Sequence, residues 1–354
     1  MKTLKLLIMT AIIASGISGK ATNPELEELV KYAVKAPSGH NTQPWKFYVY
    51  DSAIEVFPDF QKTLPVVDSE HRELYISLGC AVENLCIAAR EKGFQPEATI
   101  RKKNDTLCTI YISLKKTQTQ TSPLFSAIEK RQTNRSEYNH HVISRDTIQM
   151  LQDMKRQPGT HFYLHENGSK MYEALSGYIF KGNKIQMQTK AFKKELISWI
   201  RFNKKHVEQT QNGLTNEVMG TPAVPPFLGK MIVSAVLTPK NQNKTDKKHL
   251  GSSSHLALFT TENNTPKEWI ELGRTLERFL LKTTHLGIAN AYMNQPCEVD
   301  MLAEEMQANL TENNEYPTLL LRIGYADPMP YSPRKDVESV IYNQADSIVA
   351  TELK

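Results

Sequence analysis

The stretch LGCAVENLCIAA, residues 78–89, is matched later in the chain by LGRTLERFLL, residues 272–281. Each stretch begins with Leu-Gly, has a glutamate four residues after that glycine, and runs on to a second glycine fourteen residues after the first, Gly93 or Gly287. Apolar residues recur every three or four positions, which predicts a helix with one buried face. The closing glycines suit a helix C-cap in the left-handed region.

Strand-like runs flank both predicted helices. The first helix lies between residues 46–50 (KFYVY) and 107–114 (LCTIYISL), and the second lies between 255–260 (HLALFT) and 317–325 (PTLLLRIGY). The order strand, loop, long helix, strand thus repeats after about 200 residues, which indicates a domain duplication rather than a solenoid. We therefore expect an α+β fold in which two similar halves are fused in one chain. The fused halves would mimic a homodimer, so we expect a monomer.

Length and composition fit this division. At 354 residues the chain exceeds the usual limit of about 250 to 300 residues for one core. With 40% hydrophobic and 23% charged residues it is neither collagen-like nor disordered. We assign 21–122 to the N-terminal half and 123–354 to the C-terminal half, with a lid-like insertion at about 181–226. The lysines there fit a solvated helix face or an acidic partner. The net charge of +5 gives no reason to expect nucleic-acid binding.

Residues 1–20 have the layout of a secretory signal peptide. Two lysines precede an apolar run at 6–14, and small residues follow it. The run is too short to span a bilayer, so we expect no stable membrane span after signal removal. The sequence therefore predicts a periplasmic or otherwise exported protein, and the alternative is a cytoplasmic protein with an N-terminal helix. The four cysteines lack a disulfide framework and suit buried thiols.

The loop APSGHNTQPW, residues 36–45, is the first of three polar segments that could carry chemistry. It holds two prolines, a glycine and five hydrogen-bonding side chains between a predicted helix and a predicted strand. Such a loop can present hydroxyl, amide and backbone groups to a ligand rich in C=O and N–H groups. A plain structural turn is the alternative.

The other two segments carry cations. Arg131 and Arg135 are four residues apart with Thr133 between them, a spacing that would place both arginines on one helix face. Guanidinium groups suit phosphate oxygens, although two surface arginines are an equally simple interpretation. In the turn Ser332-Pro333-Arg334-Lys335, Arg334 and Lys335 could form a second part of a phosphate site. The adjacent His140 and His141 splay apart, so we expect no metal site.

Together these segments resemble the nitroreductase-type flavoprotein superfamily, and most closely its Acg-like branch, in which two nitroreductase halves are fused in one chain. The resemblance runs from about residue 24 to 342. It rests on APSGHNTQPWKF at 36–47, on 70–94, on RQTNRS at 131–136, on WIR at 199–201 with NGL at 212–214, and on LRIGYADPMPYSPRK at 321–335. It implies an FMN-binding, nitroreductase-like α+β sandwich.

The resemblance also implies which residues bind FMN. Arg131, Thr133 and Arg135 would hold the flavin phosphate, the ribityl chain and the pyrimidine edge, and Arg334 or Lys335 would also meet the phosphate. A stretch containing Met293 and Asn294 would pass the N5 side of the flavin. The loop residues that would line the flavin ring are Pro37, Ser38, Gly39, Asn41 and Gln43.

The implied activity is hydride transfer from NAD(P)H to the flavin, followed by electron transfer to a nitro, quinone or similar acceptor. No side chain need act as a catalytic group, because the cofactor carries the chemistry. The C-terminal half lacks a second copy of the loop and has TPAVPPF, residues 221–227, instead, which favours a single site. A closed lid would exclude the nicotinamide and leave a flavin-binding or storage protein. An exported protein would need another electron donor, because NAD(P)H is scarce outside the cytoplasm.

Overall fold

The computed structural model describes residues 23–104 and 107–342, so the predicted signal peptide lies outside the described residues. Helices and strands alternate along this part of the chain, and most of the strands form two main sheets. The α-helices are α1 (Pro24–Ala33), α2 (Arg72–Glu91), α3 (Pro123–Ile128), α4 (Arg145–Gln152), α5 (Lys170–Gln188), α6 (Lys190–Ser198), α7 (Lys204–Thr210), α8 (Pro226–Val236), α9 (Pro239–Ser252), α10 (Pro266–His285) and α11 (Asp300–Leu310).

Each half contributes one sheet. The strands are β1 (Trp45–Val49), β2 (Ala53–Pro58), β3 (Phe94–Lys102), β4 (Cys108–Lys116), β5 (Thr160–Glu166), β6 (Ile200–Arg201), β7 (Leu214–Thr215), β8 (His255–Thr261), β9 (Ala289–Tyr292), β10 (Tyr316–Gly324) and β11 (Ile341–Tyr342). The first sheet has the order β11-β1-β2-β4-β3 and the second β5-β8-β10-β9, while β6 and β7 form a small separate pair. Strand β11 follows the second sheet in the chain, but it joins the edge of the first sheet parallel to β1. The α+β fold with two related halves is confirmed.

The two long helices α2 and α10 cross at the repeated Leu-Gly pairs. A Cβ atom built on Gly79 would lie 2.1 Å from the Ile270 carbonyl oxygen, and one built on Gly273 would lie 2.1 Å from the Ile76 carbonyl oxygen. These reciprocal contacts are those of a pseudo-two-fold axis through the crossing. Both helices also end as predicted, because the closing glycines 93 and 287 have φ values of +77° and +71°.

The glutamates repeated in α2 and α10 are both fully buried, but they have different partners. Glu83 pairs with Arg278 at 2.6 Å and with Arg274 at 3.2 Å, so two arginines of the opposite helix compensate its charge. Glu277 lies 3.5 Å from the Nε of Arg131. Burial raises the pKa of Glu277 to about 7, against the opposing effect of Arg131. The two sides of the crossing have therefore diverged electrostatically.

The structure corrects one local prediction and adds strands that the pattern did not reveal. Residues 131–135 are not helical, so the expectation that Arg131 and Arg135 share a helix face is wrong. The Asn134 N–H instead donates to the Asn290 carbonyl at 2.8 Å, which ties this segment to β9. Strands β2, β3, β5 and β9 were not predicted; β3 contains a proline and exposed charges, and β9 has only four residues. The four cysteines are buried and free, as predicted.

Candidate functional site

A cavity of about 490 Å³ opens beside the crossing helices and is lined by both halves. This volume lies within the range of about 300 to 1,000 Å³ that is usual for small-molecule sites. Ile76 and Cys80 of α2 and Leu276 of α10 form part of its wall. Nine of the twelve residues predicted to bind FMN line it: Pro37, Ser38, Gly39, Asn41, Arg131, Thr133, Arg135, Asn294 and Arg334.

The other three predicted residues lie outside the cavity wall. Gln43 is fully buried, and its side chain donates to the Gln211 carbonyl at 2.7 Å and accepts from the Lys335 N–H at 2.9 Å. Lys335 thus supports the loop through its backbone. Met293 packs in a buried hydrophobic cluster that includes Cys297 and Leu320, while its neighbour Asn294 lines the cavity.

The loop at 36–45 is held by cross-links from distant parts of the chain. Asn41 donates from its amide to the carbonyls of Gly213 at 3.2 Å and Pro333 at 3.1 Å, and its Oδ1 accepts from Arg334 at 3.1 Å. The Ser38 hydroxyl accepts from the Gln43 N–H at 3.0 Å. The amide side chains of Asn41 and Gln43 both hold the loop in place. The loop groups that remain to face a ligand are therefore mainly its backbone and Ser38.

Two arginines in the wall carry guanidinium nitrogens without partners. Arg131 donates from Nη2 to the Lys35 carbonyl at 3.0 Å, while its buried Nη1 has no hydrogen-bond partner in the part of the chain that the structure describes. Arg135 makes no hydrogen bond or ion pair with any residue that the structure describes, and burial lowers its pKa. Burial and the nearby Arg135 lower the pKa of His40 to about 4, so this histidine is neutral near pH 7. The cavity therefore presents positive charge that Glu277, 3.5 Å from the Nε of Arg131, offsets only in part.

Arg334 is different, because both of its terminal guanidinium nitrogens already donate hydrogen bonds. It donates to the carbonyls of Lys35 and Ala36 at 3.1 and 3.2 Å, and to Asn41. Burial, and secondly Arg131, lower its pKa to about 9. Arg334 fastens the turn at 332–335 to the loop at 36–45 and brings a second positive charge close to Arg131.

A pair of glutamates lies in the same wall and was not predicted. Glu73, at the start of α2, and Glu298, before α11, are close enough for each carboxyl group to affect the pKa of the other. Asn294 donates to Glu73 at 2.7 Å and Gln186 donates to Glu298 at 2.6 Å. Burial, and secondly Glu298, raise the pKa of Glu73 well above its usual value, and burial also raises the pKa of Glu298. The pair therefore retains a proton at pH values where an exposed glutamate is ionised.

The predicted insertion supplies another side of the cavity. Helix α5 contributes two amide side chains and one methionine, helix α6 contributes apolar side chains, and β7 contributes Leu214. Asn183 is held in place by Asp246, to which it donates at 2.7 Å. Further lining residues of these two helices are Gln186, Met187, Phe192 and Leu196.

Comparison with known proteins agrees with this geometry. The model of the Nitroreductase family matches residues 22–67, which include the loop. Two proteins of Mycobacterium tuberculosis (strain ATCC 25618 / H37Rv) are similar over most of the chain. "Putative NAD(P)H nitroreductase Rv3131" is 24% identical over 326 residues, 87% of this chain and 88% of that protein. "Putative NAD(P)H nitroreductase acg" is 21% identical over 348 residues, 92% of this chain and 97% of that protein. These matches confirm the resemblance to nitroreductases and to their Acg-like branch.

Among solved structures, the chain is similar to the FMN-dependent nitroreductase NfnB from Mycobacterium smegmatis, which was crystallised in complex with NADPH. The two are 13% identical with a TM-score of 0.39, over 61% of this chain and 96% of that chain.

Proposed function

We propose that this chain is an FMN-dependent oxidoreductase that passes electrons from NAD(P)H through the flavin to a small acceptor such as a nitro compound or a quinone. The observation that carries the proposal is the positive charge in the cavity, where the buried Nη1 of Arg131 and the guanidinium of Arg135 have no hydrogen-bond partner among the described residues. Guanidinium groups whose donors lack partners in a cavity are stabilised when an anion accepts hydrogen bonds from them, and a phosphate can accept from two such groups at once.

The rest of the wall also fits FMN. A flavin ring needs a narrow apolar slot with a few donors and acceptors at its edge. Ile76, Leu276 and Ile128 supply apolar surface, and the unpartnered Oδ1 of Asn183 and Oε1 of Gln295 supply acceptors. When bound, FMN would supply two-electron chemistry, accepting a hydride and passing the electrons on.

The protein's own residues would bind FMN, orient its ring and exclude water from the cavity. Arg131 and Arg135 would fix the phosphate, and the loop at 36–45 would set the plane of the ring through its rigid backbone. The Glu73–Glu298 pair would hold a proton within the cavity during reduction of the acceptor. Helices α5 and α6 would keep bulk water away from the reaction.

Anaerobic mixing tests the proposal. The FMN-loaded protein is mixed with NADH or NADPH without oxygen, and flavin absorbance near 450 nm is followed. We expect rapid bleaching, and recovery of the absorbance when a nitroaromatic compound or a quinone is added. A protein that takes up no FMN on incubation would contradict both the cofactor and the activity.

A flavin-binding or storage protein is the second candidate. Five residues of α5 and α6 line the cavity, and a cover of this kind restricts the approach of a nicotinamide. In this case NAD(P)H would leave the absorbance near 450 nm unchanged, whereas dithionite, which is small, would bleach it. Deletion of α6 and α7 would then be expected to restore bleaching by NAD(P)H.

An exported location is a separate proposal that rests only on residues 1–20. Expression of the full chain in a bacterium with fractionation would test it. We expect a shortened chain in the periplasmic fraction, and an uncleaved chain in the cytoplasm would support the alternative.

A further inference from the structure

Helix α8 exposes an apolar face that no other described part of the chain covers. Phe227 and Met231 are 76% and 63% exposed, and Ile232 and Val236 are 45% and 50% exposed. The segment from Thr221 to Val236 contains one charged residue in sixteen, Lys230. Adjoining exposed apolar residues of this kind are uncommon on soluble proteins and mark interaction surfaces.

The opposite side of α8 is attached to the fold. A Cβ atom on Gly229 would lie 2.2 Å from the ring of Phe202, so the helix backbone rests directly on that buried ring. Leu237, just after the helix, packs in the cluster formed with Leu64 and Met187. The helix is therefore held in a position that presents its apolar face outwards. Within the described residues no helix is both long and apolar enough to cross a membrane.

The positive charge of the protein is concentrated around this helix. Residues 181–248 carry 13 basic and 4 acidic side chains, a net charge of +9, whereas the whole chain carries +5, so the remainder carries −4. The exposed lysines of α8 and α9 take part in none of the ion pairs found among the described residues. They are Lys230, Lys240, Lys244, Lys247 and Lys248.

We propose that α8, with the lysines of α8 and α9, docks on the surface of a membrane that contains anionic phospholipids. An exposed apolar helix beside unpaired lysines combines the two attractions that hold interfacial helices at a bilayer surface. A nucleic acid would use the lysines but not the aliphatic side chains. A second copy of this chain would bring one +9 region against another. A lipid surface with anionic headgroups satisfies both features, and the proposal is independent of what the cavity binds.

Vesicle flotation tests this proposal with the full chain. We expect the protein to float with vesicles of phosphatidylglycerol and phosphatidylcholine, and to bind pure phosphatidylcholine at least about tenfold more weakly. Raising sodium chloride from about 0.05 M to about 0.5 M should weaken binding to the anionic vesicles, because salt screens the lysines. A Phe227→Trp variant should show a blue shift of its fluorescence on the same vesicles, as the indole leaves water.

Two sets of variants separate the contributions. Phe227→Ser with Met231→Ser should reduce vesicle affinity about tenfold or more. The matched control, Val142→Ser with Met301→Ser, removes residues that are 63% and 57% exposed on other elements and should leave binding unchanged. A charge-reversal variant, Lys240→Glu, should weaken binding to anionic vesicles only.

Three results would overturn the proposal. The first is the absence of binding to any vesicle. The second is binding that the Phe227 and Met231 substitutions do not affect, since adsorption would then be electrostatic alone. The third is a concentration-dependent dimer in sedimentation velocity that these same substitutions abolish while vesicles bind nothing, because the face would then belong to a second copy.

Discussion

Replacing Gly79 by alanine tests whether the helix crossing holds the two halves together. The new Cβ atom would lie 2.1 Å from the Ile270 carbonyl oxygen, whereas real Cβ atoms stay at least 3.0 Å from such atoms. Because the obstacle is backbone, α2 and α10 must separate by roughly 1 Å, and the close contacts along both helices weaken. Overpacking of this kind costs about 3 to 4 kcal/mol at an unyielding site, and the better helix propensity of alanine returns about 1 kcal/mol. We therefore expect Gly79→Ala to lower the free energy of unfolding by about 2 to 3 kcal/mol.

Gly177 provides the matched control. It lies inside α5, is exposed, and has no heavy atom within 4 Å of a built Cβ atom. Gly177→Ala should therefore raise the free energy of unfolding by about 0.5 to 1 kcal/mol through helix propensity alone. Urea unfolding, followed by far-ultraviolet circular dichroism and by fluorescence at fixed pH and FMN concentration, measures both variants. If Gly79→Ala proved as stable as the unmodified chain, the close approach of the two backbones would be refuted.

The double variant sharpens the test. Gly273 meets Gly79 at the same crossing, with 2.9 Å between the built Cβ of Gly79 and the Cα of Gly273. A first alanine that separates the helices makes room for the second, so the loss in Gly79→Ala with Gly273→Ala should be clearly smaller than the sum of the single losses. Strict additivity would mean that the helices do not move as a unit.

Three further predictions concern the site and the core. Arg131→Ala should weaken FMN binding about 10- to 100-fold in a titration, because a charge-assisted donor to the phosphate is lost, whereas Lys130→Ala at an exposed neighbour should not. Burial raises the pKa of Glu277 to about 7, so its contribution to stability is complete below about pH 4.5 and is lost as the pH rises through 7. Unfolding at pH 5 and pH 8 should therefore show a decline of about 2.5 kcal/mol that Glu277→Gln, which cannot titrate, largely removes. The three buried cysteines away from the cavity wall, Cys86, Cys108 and Cys297, should react with a thiol reagent only after unfolding, and fast labelling of any of them in the native protein would contradict their burial.

Sequence reasoning succeeded where a local pattern has a direct physical meaning. The Leu-Gly repeat at 78 and 272 identified both long helices, although only the structure reveals that the glycines touch each other's backbone. The cations at 131 and 135 were found by residue type, even though the expected helix is absent. Both arginines line the cavity, and their segment is tied to β9 by a hydrogen bond from Asn134, a tertiary contact that leaves no local periodicity.

Features that depend on distant contacts could not be predicted. Glu73 looks like an ordinary acid in the first turn of a helix, and nothing in the sequence indicates that Glu298 lies beside it. In the same way, Gln43 and Asn41 suited ligand binding by residue type. Their side chains instead form hydrogen bonds with the turn at 332–335 and with the insertion. Met293 and Asn294 are neighbours in extended chain, where successive side chains point to opposite sides, so only one of them faces the cavity.

The cross-links of the loop at 36–45 also set an order of events during synthesis. Asn41 is joined to Pro333, 292 residues further along the chain. On the ribosome the first half therefore emerges with its loop unsupported, and the cavity wall stays open until the turn at 332–335 has been made. Ligand loading is consequently a late event in the life of each molecule. A chain interrupted anywhere between the two segments would have the loop but not the fastening that gives it its shape.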